Sequence, residues 1–174
     1  MAGLRVKEAM TTQAERQQKI ERLAHLPELL ERVVAGLTPE QLTTRYVENE
    51  WTVAQNVHHV FDSHTRGYVN GKLILSDETP SWKRYNQDAW ALMADSGSAD
   101  IGASLTLIRA LHTRWAVWWR SLSDTDFART GQVIGAAAPV TLDGLLDVYS
   151  GHGEDHCQQI IKTLAAGGIE RAFA

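Results

Sequence analysis

Apolar residues recur every three or four positions over most of this chain, a spacing that predicts amphipathic α-helices. The most regular stripe occupies positions 101, 105, 108, 111, 115, 119 and 122, and it predicts a helix from Ile101 to Leu122. Comparable stripes predict helices from Thr12 towards Leu37, from Val53 to about Leu75, and after Thr141 to about Ala166. We therefore expect the chain to fold around four long helices.

Local signals indicate where these helices begin and end. Thr12 and Thr52 each have the spacing of a capping box, in which a hydroxyl and the side chain three residues later satisfy the first amide groups of a helix. Pro27 should kink the first helix. Thr38 should cap a short helical turn that follows it, and Gly167 should end the last helix.

The segments between the predicted helices differ in length. The connection over 76–100 contains a predicted short helix at 86–94, and it is long enough to cross from one end of a bundle to the other. Residues 123–140 are rich in Gly, Ala, Asp and Thr and predict a loop, in which 132–134 could form a strand-like piece. We predict an all-α fold, a four-helix bundle with a long crossover connection. It should form a single domain over 1–174, with residues 1–11 expected to be disordered.

Composition disfavours several classes of function. The 17 Lys and Arg residues are balanced by 21 Asp and Glu residues, and neither sign forms a block that would follow a phosphate backbone, so no nucleic acid is expected as a partner. No segment approaches the roughly 20 apolar residues of a membrane helix. Residues 1–10 lack the apolar stretch of a signal peptide. With Cys157 as its one cysteine, the chain cannot form an internal disulfide, and a cytoplasmic location is expected.

Two histidines in the last predicted helix, His152 and His156, are four residues apart and therefore lie one turn apart on one face. At about 100° per residue they share an arc of roughly 60° with Leu145 and Tyr149, so both imidazoles should project into the bundle. A single inward histidine is more often a packed core residue. Two on one face favour a transition-metal ion, for which neutral imidazole is the commonest ligand.

The zinc-protease motif also separates two histidines by three residues, but it places a glutamate directly after the first. Gly153 stands at that position here, and Glu154 points away from the shared face. Catalytic residues, including any general base, therefore stay unknown. Cys157 points to a different sector of the helix and is not expected to be a ligand.

A third ligand must come from another helix. The helix over 53–75 offers His58, His59 and His64. His59 is the best candidate because it shares a polar stripe with Asn56 beside the apolar one, whereas His58 falls on the outer side.

Further polar and aromatic residues are candidates for the surroundings of the site. His64 and His112 lie in the middle of apolar stripes, so each is either a partner of a metal ligand or a packed core histidine, and the core interpretation is favoured. His25 is expected to be a surface or packing residue. The candidates for pocket or partner residues are Asn56, His64, Tyr85, Trp90, His112, Arg114 and Tyr149.

Three segments taken together carry a family signal. They are Trp51-Thr-Val-x-Gln-x-Val-His-His-Val-x-Asp-Ser-His64, Ser104-Leu-x-Leu-Ile-x-x-Leu-His-x-Arg-Trp115 and Tyr149-x-x-His-Gly-x-x-His156. In order and spacing they resemble the DinB superfamily, and within it the YfiT-like branch of candidate metal-dependent hydrolases and thiol transferases. The resemblance covers most of the chain.

The resemblance implies a four-helix bundle, often dimeric, whose metal is held by one histidine of the second long helix and two of the last. Matched residue by residue, these are His59, His152 and His156. It implies one divalent transition metal, zinc or nickel first, a small-molecule substrate such as a low-molecular-weight thiol, and a homodimer. The chain departs from the branch at Asp155, where a histidine is common, and at Gly151, where an aromatic residue is common. These departures affect substrate identity more than metal binding.

Three neutral histidines leave one or two coordination positions for water or substrate, as in catalytic zinc sites. A metal held in this way would lower the pKa of bound water to about 7, or bind a thiol as its thiolate. We therefore expect a metal-dependent enzyme that hydrolyses a small substrate or transfers a low-molecular-weight thiol to an electrophile. Two alternatives stay open, namely a non-enzymatic, metal-binding, stress-associated protein and a plain bundle with packed histidines.

Overall fold

A computed structural model describes residues 11–172 of the chain. The disorder expected for residues 1–11 falls, except for Thr11, outside the described residues. The helices are α1 (Gln13–Val34), α2 (Pro39–Thr43), α3 (Val53–Ser76), α4 (Gln87–Ala91), α5 (Gly102–Arg120), α6 (Asp124–Phe127) and α7 (Leu142–Ala166). The strands are β1 (Ser81–Trp82), β2 (Thr130–Val133) and β3 (Val140–Thr141).

The predicted helix starts are confirmed. Thr12, Thr38 and Thr52 each cap a helix, and each belongs to a complete capping box with the residue three positions later. α1 continues through Pro27 as one helix, and the kink expected there stays a prediction. α4 is shorter than the helix predicted over 86–94, because Asn86 acts as its cap and the helix ends at Ala91.

The four long helices form a bundle in which α1 packs against α5 and α7, and α3 packs against the same two helices. Glu21 of α1 contacts Arg120 of α5. Glu31, further along α1, contacts Arg109, nearer the start of α5, so these two helices run antiparallel. Because α1 and α3 each pack against α5 and α7, they lie diagonally opposite each other in the bundle.

The other pairs of neighbours fix the remaining directions. Arg16 and Lys19 in the first turns of α1 contact Asp143 and Asp147 in the first turns of α7, and α1 and α7 are thus parallel. α3 and α5 are also parallel, because His58 contacts Ser104 and the later His64 contacts the later His112. The helices therefore run up, down, down and up in chain order.

Because α3 and α5 are parallel neighbours, the chain must travel the length of the bundle between them, and the crossover connection over 77–101 does this. Near its start, the main-chain oxygen of Lys83 accepts a hydrogen bond from Arg66 in the middle of α3, at 2.8 Å. Later, the oxygen of Ala91 accepts one from Gln55 in the first turn of α3, at 2.7 Å. The predicted crossover is confirmed, and it lies along α3.

A small sheet joins the crossover to the segment before α7. Its order is β1-β2-β3, with β1 and β2 parallel and β2 and β3 antiparallel. The loop predicted over 123–140 is therefore partly wrong. The hydroxyl of Ser123 accepts from the amide of Asp126 and starts α6. The strand-like piece predicted at 132–134 corresponds to β2, which begins two residues earlier and ends one residue earlier.

Two hydrophobic clusters fill the bundle. One includes Val53, Val57 and Ile160, and the other includes Ile74, Trp115 and Leu146. Between them in sequence, α3, α5 and α7 carry His64, His112 and His152, so a polar layer separates the two clusters. Among residues 11–172, none of the helices combines the length and the hydrophobicity needed to cross a membrane.

Candidate metal centre

Three imidazoles from α3 and α7 meet beneath the crossover connection. His59, His152 and His156 each offer a ring nitrogen, and these three atoms lie within 4.8 Å of one another. The ring centroids are 4.6 Å apart for His152 and His156, 4.7 Å for His59 and His156, and 5.4 Å for His59 and His152. The structure thus brings together the histidines that the sequence predicts as metal ligands.

The two ring nitrogens of His59 are in different surroundings. Nδ1 is 3.2 Å from the hydroxyl oxygen of Tyr85. Nε2 is buried and has no hydrogen-bond partner. A buried ring nitrogen without a partner is costly unless another group binds it. A cation shared with the two neighbouring imidazoles would satisfy this atom.

The ring orientation of His156 is determined by an amide. Nδ2 of Asn56 donates to the main-chain oxygen of Thr52 at 3.0 Å, which leaves Oδ1 of Asn56 facing His156. Oδ1 can only accept, so Nδ1 of His156, 2.8 Å away, carries the hydrogen. Nε2 of a neutral His156 therefore keeps its lone pair, as a metal ligand must.

His152 is held by a chain of buried histidines that ends on the main chain. Its Nδ1 is 3.1 Å from Nε2 of His64, and Nδ1 of His64 is 2.9 Å from Nε2 of His112. Nδ1 of His112 is 2.6 Å from the main-chain oxygen of Leu23. Both inner histidines are fully buried. They are core residues, as expected, but His64 also contacts the candidate ligand His152, and His112 in turn contacts His64.

The main-chain carbonyl of Leu23, at one end of this row of hydrogen-bonded histidines, determines the tautomer of His152 at the other end. The oxygen of Leu23 only accepts, so Nδ1 of His112 carries a hydrogen, and Nε2 of a neutral His112 accepts from Nδ1 of His64. By the same rule Nε2 of His64 accepts from Nδ1 of His152. The lone pair of His152 is therefore left on Nε2, which fits a metal ligand.

Burial keeps these imidazoles neutral. It lowers the pKa of His59 to about 4 and that of His156 to about 3, and the neighbouring His152 acts in the same direction on both. Burial also lowers the pKa of His152, against a smaller opposing effect of Asp155. Neutral imidazole is the form that binds a metal, so the three residues are ready to act as ligands at pH 7.

Two aromatic side chains flank the three imidazoles. The Trp51 ring lies 4.6 Å from that of His59 and stacks on His156 at 6.1 Å. On the other side, Tyr85 of the crossover stacks over His59 at 6.3 Å. Burial raises the pKa of Tyr85 to about 12, so its hydroxyl keeps its hydrogen at neutral pH.

Two cavities adjoin the imidazoles, one beside His152 and one beside His156, and Gln87 bounds both. The larger, of about 520 Å³, is bounded by His152, Tyr85 and Tyr149 together with Arg66. The smaller, of about 220 Å³, is bounded by His156, Trp51, Glu50 and Asp88. A group bound between the three rings would therefore be reached from either cavity.

Several predicted residues lie elsewhere. Arg114 is exposed on α5 and bounds neither cavity, because it is two residues, about 200° of helix, away from the inward-facing His112. Trp90 packs behind Tyr85, with ring centroids 4.6 Å apart, and does not bound either cavity itself. His25 is exposed. Cys157 is buried, burial raises the pKa of its thiol to about 12, and it is not among the residues whose ligand atoms meet.

The placement of His58 on the outer side of α3 is wrong. Its Nδ1 is 2.8 Å from the hydroxyl oxygen of Ser104 in α5, and its Nε2 is 3.0 Å from the main-chain oxygen of Ser98 in the crossover. Only 8% of the residue is exposed. Helical spacing marks this face as outer, but α5 and the crossover cover it.

Sequence reasoning missed Trp51, Arg66, Glu50 and Asp88 as residues around the site. Trp51 could have been suspected, because it directly precedes the cap of the helix that carries His59. Arg66 could have been suspected as well, because it follows His59 by two helical turns on the same face of α3. Glu50 and Asp88 reach the smaller cavity through the paths of the segment before α3 and of the crossover, which no spacing rule predicts.

The chain is similar to known proteins over most of its length. A family model described as the DinB superfamily matches residues 22–160. The chain is 38% identical over 141 residues to YfiT of Bacillus subtilis strain 168, a candidate metal-dependent hydrolase, covering 81% of this chain and 79% of that protein. A relative from Geobacillus thermodenitrificans with the same proposed activity is 38% identical over 139 residues, with 80% and 78% covered.

A solved structure is also similar. YfiT from Bacillus subtilis, described as a metal-dependent hydrolase candidate with an unusual four-helix bundle topology, matches with a TM-score of 0.88 and 34% identity. The match covers 94% of this chain and 93% of that one.

Proposed function

The chain belongs to the DinB superfamily, and from that premise we propose that it is a metal-dependent enzyme whose ion is held by His59, His152 and His156. The observation that carries the proposal is the meeting of three neutral imidazoles, with Nε2 of His59 buried and otherwise without a partner. The activity proposed for its relatives supports the same function.

The ion we propose is divalent, zinc or nickel, because an all-imidazole set suits both. When bound, it would act as a Lewis acid and supply a hydroxide or a thiolate at neutral pH. We propose that the protein hydrolyses a small substrate or transfers a low-molecular-weight thiol to an electrophile.

The protein's own residues hold and orient the ligands. Asn56 orients His156, and the chain of His64 and His112 orients His152. For Nε2 of His59 to bind the ion, its Nδ1 must donate to the oxygen of Tyr85. The hydroxyl hydrogen of Tyr85 is then left for Ser63, its other hydrogen-bonding neighbour, or for a molecule in the larger cavity. The crossover that carries Tyr85 also limits the access of water to the site.

Elemental analysis of protein purified without a nickel column tests the metal site. We expect about one ion per chain, as for a catalytic site with three protein ligands. His156→Ala should lose the ion while the helical circular dichroism persists, and His25→Ala, which changes an exposed histidine, should keep it. If the unaltered protein takes up no stoichiometric zinc or nickel after chelation and reloading, the three histidines are packed side chains only.

Turnover separates the two reactions. Metal-loaded protein should either release the alcohol of a chromogenic ester or consume a thiol together with an electrophile such as chlorodinitrobenzene. His156→Ala should abolish whichever activity is found. Product analysis distinguishes hydrolysis, in which water is added, from transfer, in which the thiol becomes attached to the electrophile.

A second candidate function is metal binding without catalysis, in a stress-associated protein. It is favoured by the placement of the two acidic residues between His152 and His156 on α7, because Glu154 pairs with Arg22 and Asp155 is exposed. A cobalt-substituted protein whose spectrum responds neither to thiols nor to hydrolysable substrates would support this alternative.

We also propose a homodimer in the cytoplasm, as the family resemblance and the single cysteine suggest. Light scattering after size-exclusion chromatography would give twice the chain mass for a dimer. A mass equal to that of one chain would refute the dimer.

A further inference from the structure

The larger cavity next to His152 carries a cluster of positive charge. Arg66, Lys83 and Arg84 all bound it. None of the three forms an ion pair with a carboxylate in the part of the chain described here. We infer that this cavity binds the oxyanion group of a small molecule, a carboxylate or a phosphate ester, whose other end reaches the three histidines. The second part of this inference rests on the function proposed above.

Arg66 is the residue best placed to contact the anion. Its guanidinium lies over the ring of Tyr85 at 5.0 Å and near that of Trp90 at 5.9 Å. One of its terminal nitrogens donates to the main-chain oxygen of Lys83 at 2.8 Å. The side chain is thus oriented before any ligand binds, and its other N–H groups match the planar fork of a carboxylate or phosphate.

The acid nearest to Arg66 in sequence does not neutralise it. Asp62 is one helical turn away on α3, but the two do not form an ion pair. Burial and the neighbouring Asp95 raise the pKa of Asp62. Among the described residues, Arg66 therefore bounds the cavity without a carboxylate paired to it.

The rest of the lining fits a small organic anion. Ser63 and Asn70 are buried polar residues that can donate hydrogen bonds, and Trp82, Val148 and Tyr149 supply apolar surface. A volume of about 520 Å³ is typical of a site for a small molecule.

The charge of this cavity is opposite to that of its surroundings. The whole chain has a net charge of −4, and the smaller cavity beside His156 carries Glu50 and Asp88. An anion is therefore attracted to the His152 side and repelled from the His156 side. This asymmetry gives a bound molecule a direction, with its anionic end at Arg66 and its reacting end at the imidazoles.

A matched series of three thiols tests the inference. Mercaptoethanesulfonate, mercaptoethanol and cysteamine share a two-carbon spacer and differ in carrying an anionic, a neutral or a cationic end. Each is titrated into cobalt-loaded protein, and binding is followed by the thiolate-to-cobalt absorption band. We expect the sulfonate to bind about tenfold more tightly than mercaptoethanol, and cysteamine to bind most weakly.

Substitutions then locate the effect. Arg66→Met should remove the roughly tenfold advantage of the sulfonate and leave the affinity for mercaptoethanol unchanged. Lys83→Met, at an exposed position that cannot disturb the core, should remove part of it. Lys72→Met is the matched control, because Lys72 is a cation on the same helix that lies over Trp118 and does not bound the cavity. It should leave all three affinities unchanged.

Equal affinities for the three thiols in protein that holds one ion per chain would overturn the inference and leave the proposed function intact. A loss of mercaptoethanol binding in Arg66→Met equal to the loss for the sulfonate would also overturn it. If the protein binds no metal, the proposed function fails, and inorganic phosphate titrated into the metal-free protein becomes the test. Quenching of tryptophan fluorescence that Arg66→Met abolishes would still support an anion site, and quenching that the variant retains would refute it.

Discussion

Replacing His112 by leucine should weaken metal binding, although His112 does not contact the three candidate ligands. The fully buried ring joins the main-chain oxygen of Leu23 to His64, and His64 in turn holds His152. Leucine fills a similar volume but offers no acceptor to Nδ1 of His64. His64 can then move its hydrogen to Nε2, which forces His152 to place its own hydrogen on the nitrogen that should bind the ion.

The expected magnitude follows from the lost contacts. Removing a partner of a metal-bound histidine lowers metal affinity by about 10 to 100-fold, or about 1.4 to 2.7 kcal/mol. The free energy of unfolding should fall as well. The buried carbonyl of Leu23 and the buried Nδ1 of His64 each lose a partner, at about 1 to 3 kcal/mol apiece.

Competition titration of cobalt-loaded protein against a chelator of known affinity measures the first effect, and urea unfolding measures the second. Leu23→Ala is the matched control. It removes buried side-chain volume beside His112, at a cost of about 2 to 5 kcal/mol, but it keeps the main-chain oxygen that starts the chain of hydrogen bonds. It should lower stability to a similar extent and leave metal affinity within about twofold.

His112→Leu and Leu23→Ala therefore distinguish the orientation of His152 by hydrogen bonds from a general loss of packing in the bundle. If His112→Leu binds cobalt as tightly as the unaltered chain, the histidine chain does not determine the tautomer of His152. If Leu23→Ala weakens binding as strongly as His112→Leu, the effect comes from lost packing. Partial recovery in His112→Gln, whose amide NH₂ can donate and whose oxygen can accept, would support the role of the hydrogen bonds.

Three further predictions concern the whole fold. Lowering the pH from about 6.5 towards 4 should lower the melting temperature of the metal-free protein. Burial lowers the pKa of His59 to about 4 and that of His156 to about 3, so over this range the histidines of the unfolded chain take up protons that the folded chain excludes. A melting temperature that does not change with pH would contradict this. Gly153→Ala should lower the free energy of unfolding in urea by about 1 to 3 kcal/mol, because the added methyl group would lie 2.0 Å from a methyl group of Leu26. Gly151→Ala is the control, because its methyl group meets no neighbour and should not lower this free energy. Chelation should lower the melting temperature, since an ion at 100 times its dissociation constant stabilises the folded state by about 2.7 kcal/mol, and an unchanged melt would argue against a tightly held ion.

Most of the helical content could be predicted from the sequence because its causes are local. The capping boxes at Thr12 and Thr52 and the apolar stripe of α5 place the helix starts within one residue. The parallel arrangement of α3 and α5 has no such local cause. The length of the connection after Ser76 indicated a crossing, but the direction of α3 relative to α5 becomes clear only from contacts such as that of His64 with His112.

The site residues also divide into those that local sequence predicts and those that depend on contacts between distant segments. His152 and His156 could be paired from their spacing, and His59 could be chosen because it shares a stripe with Asn56, since both choices depend on the geometry of a single helix. His58 was misplaced because a non-helical segment covers its face. Arg66 follows His59 by two turns on the same face of α3, but the aromatic ring that orients it belongs to the crossover, so its role does not follow from α3 alone.

The path of the crossover also places the three imidazoles and most of the charged cavity wall on different parts of the chain, so mutations can change one without the other. The imidazoles project from long helices held by the core, whereas Lys83, Arg84, Tyr85 and Gln87 of the cavity wall come from one strap, the crossover over 77–101. Insertions or exchanges within this strap would present a different surface to an incoming molecule without displacing a histidine. Relatives that keep the bundle and its ion are therefore free to diverge in what they accept, and the strap is the first segment to compare between them.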